Sequence, residues 1–247
     1  MTRKQQVADA FAAASETYDT AAQAQVRSGG RLAELVVDRL RKPNPRVLEV
    51  GCGTGLLTRA LMPAVGGDWL ITDLSPAMVE TARREVGQGR FAVMDGEHPD
   101  GSAGPFDLIV SNLAGQWFLD LEGAVSRLAA CLAPGGLLAL STLAHGSLRE
   151  WRAAHAELGL ADGVMDFPTF DALRFMMPAR ADLQSQVFAV THVDGRDFLS
   201  SIRAIGARLP APGYRPLTPG AMRGLIRKLG SPVEISYHVV HVLLVRE

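Results

Sequence analysis

Between Arg46 and Val65 the chain reads RVLEV, then GCGTG, then LLTRALMPAV. Five residues of strand character turn through glycines at 51, 53 and 55 straight into an apolar run of helical period. Such a strand–turn–helix opens a βα unit, and a βα unit commits its strand to a parallel neighbour. The alternation continues. WLIT (Trp69–Thr72) precedes the helix PAMVETARREV, which Ser75 can cap and Pro76 can start. FAVMD (Phe91–Asp95), FDLIVSN and LLALST (Leu137–Thr142) add three strands, with the helix LEGAVSRLAACL ahead of the last. The pattern predicts an α/β, Rossmann-like parallel sheet with helices on both faces.

The flanks differ. In residues 1–42, VADAFAAASETYD places Val7, Ala10, Phe11 and Ala14 on one helical face, and GRLAELVVDRL is a second amphipathic run. This part reads as an N-terminal helical segment ahead of a core of residues 43–145. Beyond it come a helix over 146–159, an irregular stretch over 162–182 and a strand candidate, QVFAVTHV. Two helices, DFLSSIRAIGARL and LTPGAMRGLIRKLG, precede a closing strand, EISYHVVHVLLVRE. Residues 146–232 are therefore expected as a mixed cap inserted before a final sheet strand over 233–247. A chain of 247 residues can hold one such domain.

Charge and cysteine usage narrow the function classes. A net charge of -1 argues against a general nucleic-acid binder. The two cysteines, Cys52 and Cys131, have no metal spacing, so no metal is expected and a reduced compartment fits. The N-terminus lacks an apolar leader and no run approaches ~18 apolar residues, which points to a soluble cytoplasmic protein without a membrane partner. Nothing in the sequence signals an oligomeric state. From Arg196 to Lys228 there are seven basic residues and one acidic. The plain reading of that excess is a solvated helix face.

The glycine turn lets the backbone approach a ligand closely, at a helix N-terminus. It departs from the dinucleotide fingerprint GxGxxG, because the third glycine comes one residue early and position 56 is Leu. Asp73, at the end of the second strand, can accept both hydroxyls of a ribose. Asp95, at the end of the third, can accept an adenine amino group. Glu49 can hold the turn from beneath. Leu74 and Met78 after Asp73, and Gly96 after Asp95, complete the candidate cofactor positions with Gly51, Gly53, Gly55 and Asn112. This set suits an adenosyl ligand with no pyrophosphate, and S-adenosyl-L-methionine fits better than NAD or FAD. In SNLAGQW, Asn112 and the backbone at Leu113 or Ala114 can hold the amino-acid tail. Gln116 and Trp117 then lie near the sulfonium.

VLEVGCGTG, LSPAMV and FDLIVSNLAGQW together resemble the class I methyltransferases. FAAASETYDTAAQAQ, STLAHGSLREW, SIRAIGA and YHVVHVLLVRE resemble one family among them, the malonyl-[acyl-carrier protein] O-methyltransferases of biotin biosynthesis, across nearly the whole chain. The resemblance implies methyl transfer to the free carboxylate of a malonyl group on acyl carrier protein, giving an ester that is elongated toward a pimeloyl chain. It also implies that the N-terminal helical segment is a lid, with a tyrosine matched by Tyr18, and that there is a basic carrier-docking surface, matched by Arg196–Lys228.

A malonyl carboxylate, like other carboxyls with a pKa near ~4, is ionised at neutral pH and already a nucleophile. The histidines at 98, 145, 155 and 192 are therefore not needed as bases. An arginine fork can grip the acceptor, and Arg203 of SIRAIGA is the first candidate, then Arg149 of GSLREW. Thr142 and His145 are further pocket candidates. The histidines of YHVVH are three apart and point to opposite strand faces, which argues against a metal there. Two other readings share the cofactor residues: a methyltransferase for another small acid or a quinone precursor, and a methyltransferase-fold modification or assembly factor, of the kind found for mitochondrial respiratory complex I.

Overall fold

The computed structural model describes residues 1–247, apart from the side chain of Ser102. In chain order the elements are α1 (Arg3–Ala12), α2 (Tyr18–Ala21), α3 (Gln23–Arg39), β1 (Arg46–Val50), α4 (Leu56–Val65), β2 (Asp68–Asp73), α5 (Pro76–Val86) and β3 (Arg90–Val93). They continue with β4 (Phe106–Ser111), α6 (Leu121–Ala130), β5 (Leu132–Leu143), α7 (Arg149–Glu157), α8 (Phe170–Met176), β6 (Asp182–His192), α9 (Gly195–Ala204), α10 (Pro219–Leu229) and β7 (Val233–Val245). Short 3-10 turns lie at Gly101–Ala103 and Gly115–Trp117.

The strands form one seven-stranded sheet in the order β3-β2-β1-β4-β5-β7-β6. The first five pair in parallel, as the βα alternation requires. β7 enters antiparallel to β5, and β6 closes the edge antiparallel to β7. The five strands of the βα alternation are thus parallel as expected, and the two later strands make the sheet as a whole mixed. The region 146–232 is also more than a cap, since it supplies β6. The alternating exposure of β6 marks it as an edge strand with one covered face. The stretch 162–182 is not irregular throughout. Within it the Thr169 side chain caps α8, and Leu173 buries that helix against the sheet.

Both sheet faces are covered. On one, Leu32, Leu35 and Val36 of α3 and Leu61 of α4 pack on Val47, Ile71 and Leu108. On the other, Val125 and Leu128 of α6 and Leu173 of α8 pack on Leu48, Val50 and Ile109. The period-2 alternation of side chains sends Val47 and Leu48 to opposite faces. Each such side chain contributes about 1.5–3 kcal/mol by leaving water. A third cluster ties Trp151 of α7, Phe198 of α9 and Leu225 of α10 to Ile235 and Tyr237 of β7. Among the described residues no helix is long and apolar enough to cross a membrane.

Candidate active site at the strand ends

The carboxyl ends of β1, β2 and β4 open on one cavity, roofed by α1 and α2. Its floor is the glycine turn. Gly51, Gly53 and Gly55 hold φ values of 68°, 55° and 85°, in the left-handed region that a side chain disfavours. A Cβ on Gly51 would also come within 2.6 Å of the Ala114 Cβ. Asp73 ties the turn to β2. Its carboxylate accepts the Gly53 N–H at 2.9 Å and the Ser75 N–H at 2.8 Å. Burial pushes the Asp73 carboxyl up, and these backbone bonds pull it back. Beneath, Glu49 accepts the Thr58 hydroxyl from the first turn of α4. Burial raises the Glu49 carboxyl to about 8, against the pull of that bond.

One end of the cavity is lined by Leu74, Met94, Asp95 and Gly96. A Cβ on Gly96 would lie 2.2 Å from Val50 Cγ1, so only glycine lets this loop cross the end of β1. Asp95 does not stand alone. Lys4 of α1 pairs with it at 2.6 Å and pairs also with Glu97.

The other end is aromatic. Phe11 of α1 meets Trp117 edge-on, with centroids 5.4 Å apart, and lies 6.3 Å from Tyr18. Burial and then the nearby Asp73 and Asp19 carboxylates push the Tyr18 phenol well up, so it stays a neutral donor. Its ring lies over Gly53, where a Cβ would be 3.9 Å from it. Asn112 is fixed by long-range bonds. Its side-chain oxygen accepts the Ser28 and Ser141 hydroxyls at 2.7 and 2.8 Å, and its amide donates to the Gln25 carbonyl at 3.0 Å. Next to it Leu113 takes φ 50°, a strained value that ends β4 abruptly at the cavity.

The lid is fastened to the glycine turn. Asp19 of α2 accepts the Thr54 hydroxyl at 2.5 Å and pairs with Arg59 at 2.7 Å, while Arg59 also donates to the Thr54 carbonyl. At the lid's other edge the Thr17 hydroxyl donates to the carbonyl of Ala204, the last residue of α9, at 2.9 Å. A Cβ on Gly206 would meet the Ala10 carbonyl at 2.8 Å, so SIRAIGA seats its glycine directly on α1.

Of the candidate positions, Tyr18, Trp117, Gly51, Gly53, Asp73, Leu74, Asp95, Gly96 and Asn112 share the cavity wall. The others do not. Glu49 lies beneath the turn, Gly55 sits at the N-cap of α4, and Met78 is wholly buried in α5. Gln116 turns back on the Gly115–Trp117 turn, where its amide donates to the Leu113 carbonyl at 2.5 Å. Arg149 starts α7 on the surface and pairs with its neighbour Glu150 at 2.9 Å. Arg203 is exposed on α9, outside the wall. Thr142 packs behind Gly115, and His145 is exposed. Sequence reasoning missed Lys4, Glu97, Phe118, Asp19 and Arg59. The helical period did place Val7 and Phe11 on one face, but nothing local added Lys4 to it or said what that face covers.

The wall suits an adenosyl ligand carrying an amino-acid tail. One acid, Asp73, ends β2 and the other, Asp95, stands two residues past β3 and not at the strand end expected; the turn admits close backbone approach, and the space, mouth included, is about 690 Å³. Residues 21–185 match the Methyltransferase domain family. The biotin biosynthesis bifunctional protein BioCD of Bordetella avium is 41% identical over 225 residues, covering 90% of this chain; the chain spans 48% of that bifunctional protein. The malonyl-[acyl-carrier protein] O-methyltransferase of Magnetococcus marinus is 38% identical over 234 residues, covering 91% of this chain and 86% of its own. Among solved structures, YcgJ from Bacillus subtilis superposes with a TM-score of 0.60 at 20% identity, covering 88% of this chain and 98% of its own. That likeness speaks for the fold.

Proposed function

The chain belongs to the S-adenosyl-L-methionine-dependent class I methyltransferases, in the family of the malonyl-[acyl-carrier protein] O-methyltransferases, and from that premise we propose that it methylates the free carboxylate of malonyl-acyl carrier protein, in the branch that supplies biotin synthesis. When bound, the cofactor supplies a methyl on a sulfonium, which the carboxylate oxygen takes as the carbon–sulfur bond breaks.

The chain's own residues then have three tasks. Asp73, Asp95 and the glycine turn hold the adenosyl group. Asn112, fixed by Ser28 and Ser141, and the Leu113–Ala114 backbone hold the tail. Phe11, Tyr18 and Trp117 wall the reacting end, exclude water and keep donor and acceptor in line. An ionised carboxylate needs no base, and among the described residues no histidine lines the cavity. Tyr18, held neutral, is placed to donate to the acceptor.

The observation that carries the acceptor assignment is the junction of α9 with the lid. Arg196, Arg203, Arg208, Arg215, Arg223 and Arg227 are exposed and make no ion pair among the described residues. The end of α9 rests on α1 and on Thr17, beside the aromatic wall. An acidic carrier docked on these arginines would deliver its acyl group at that corner, with Arg203 nearest to the thioester end.

The experiment is transfer of labelled methyl to malonyl-acyl carrier protein, with malonyl-coenzyme A, free malonate and acetyl-acyl carrier protein in parallel. Labelling that needs both carrier and free carboxylate supports the proposal. Labelling of free malonate as efficiently as the carrier form refutes the docking role. No labelling of any malonyl compound refutes the acceptor.

A further inference from the structure

The stripe of α1 that faces the cavity is Lys4, Val7 and Phe11, with its cation at one end and its aromatic ring at the other. Val7 and Phe11 are expected of a lid over an apolar ligand. Lys4 is not. Its ammonium pairs with Asp95 at 2.6 Å and with Glu97, whose side chain is only 3% exposed. Glu97 is already engaged, because its carboxylate accepts the Asp120 N–H at 2.7 Å. Its own N–H donates to Asp95 at 3.1 Å, so Lys4, Asp95 and Glu97 form one closed network. The network joins the lid to the loop after β3, 91 residues away in the chain, at the end of the cavity opposite the aromatic wall.

Such a network has two consequences for a ligand beneath α1. A cation on one Asp95 oxygen holds that carboxylate in place and leaves it free lone pairs to accept from an amino group. It also fastens α1 across the same end, so the helix cannot lift without separating charges in a partly dry site.

We propose that Lys4 is a positioning residue for the cofactor: it holds Asp95 as the acceptor for the adenine amine and pins α1 over that end, so that the adenosyl group leaves only when the Lys4 pairs open. The inference rests on the cofactor class and is independent of the acceptor.

The competing role is structural, with Lys4 serving only to neutralise buried Glu97. Binding of S-adenosylhomocysteine separates the two, with affinity from calorimetry and dissociation rate from stopped-flow tryptophan fluorescence, to which Trp117 in the wall contributes. Lys4→Met is expected to weaken binding about tenfold to a hundredfold, mainly through faster dissociation, as loss of a charge-assisted contact and its pinning would. Lys4→Arg, which keeps the cation, should bind within about threefold of the parent. The double variant Lys4→Met/Glu97→Gln removes the stranded charge together with its partner, so it folds even where the single variant does not. Affinity in the double variant that stays low while its melting temperature recovers supports the proposal. Wild-type affinity and dissociation in the double variant would overturn it, leaving Lys4 a counter-ion to Glu97. Wild-type binding by Lys4→Met alone would do the same.

Discussion

Glu49 sits under the cofactor turn with its carboxyl raised from 4.5 to about 8, chiefly by burial, while Thr58 donates to it. In the unfolded chain the group ionises at its ordinary value. Between pH 5 and pH 8 the folded protein thus keeps a proton that the unfolded chain has released. Stability from this group is fully present below the unfolded value and is lost as pH rises through the folded one. The slope is about 1.4 kcal/mol per pH unit, so the loss across that window is about 4 kcal/mol. Glu49→Gln replaces the neutral acid by a neutral amide of the same shape that still accepts from Thr58. Groups remote from Glu49 titrate alike in the two proteins, so their difference reports Glu49 together with its coupling to Asp73 and Cys52. Urea unfolding followed by far-ultraviolet circular dichroism at pH 5 and pH 9 measures it. The variant's stability relative to the parent should rise by about 4 kcal/mol from the lower pH to the higher. Parallel stabilities at the two pH values, within about 1 kcal/mol, would refute the reasoning, because Glu49 would then be ionised in the folded protein at neutral pH.

Other perturbations probe the remaining parts of the site. Asp73→Ala removes the carboxylate proposed to accept the ribose hydroxyls and strands the Gly53 and Ser75 N–H groups; cofactor affinity by calorimetry should fall about a hundredfold or more, and unchanged affinity would sink the assignment. Asp19→Asn loosens α2 from Thr54 and Arg59, and should speed S-adenosylhomocysteine dissociation several-fold with little change in melting temperature, since the pair is half exposed; an unaltered rate counts against a latch. Charge reversal at Arg203 or Arg227 should raise KM for a carrier-bound acceptor about tenfold and leave a small thioester analogue unaffected, and the opposite pattern would refute carrier docking.

Much of the site was legible in the sequence because its constraints are local. Three glycines between a strand and a helix demand left-handed backbone within five residues, and they adopt it. Asp73 is placed by the end of β2, so counting along that strand sufficed, whereas β3 stops at Val93 and Asp95 lies in the loop beyond it, not at the strand end expected. SNLAGQW follows β4, and the structure has Leu113 at positive φ and Trp117 in the cavity wall. The same reading failed for Gln116 and Arg149. Being near a pocket along the chain does not fix which way a side chain turns, and each found a nearer partner, in the Leu113 carbonyl and in Glu150.

Where a contact spans the chain, only the folded structure decides it. The order of residues was enough for the βα alternation, the cofactor turn and the amphipathic stripe of α1, since propensity, period and turn chemistry act over a few residues. It was not enough to show that β7 slips between β5 and β6, because strand order depends on which edge is free when distant segments meet. Nor could it show that Lys4 meets Asp95, that Asp19 meets Arg59, or that Ser28 and Ser141 fix Asn112, pairs separated by 29 to 91 residues. A charge on a helix face carries no label for its partner. The sheet supplies that label by bringing strand ends and lid helices within a hydrogen bond of one another.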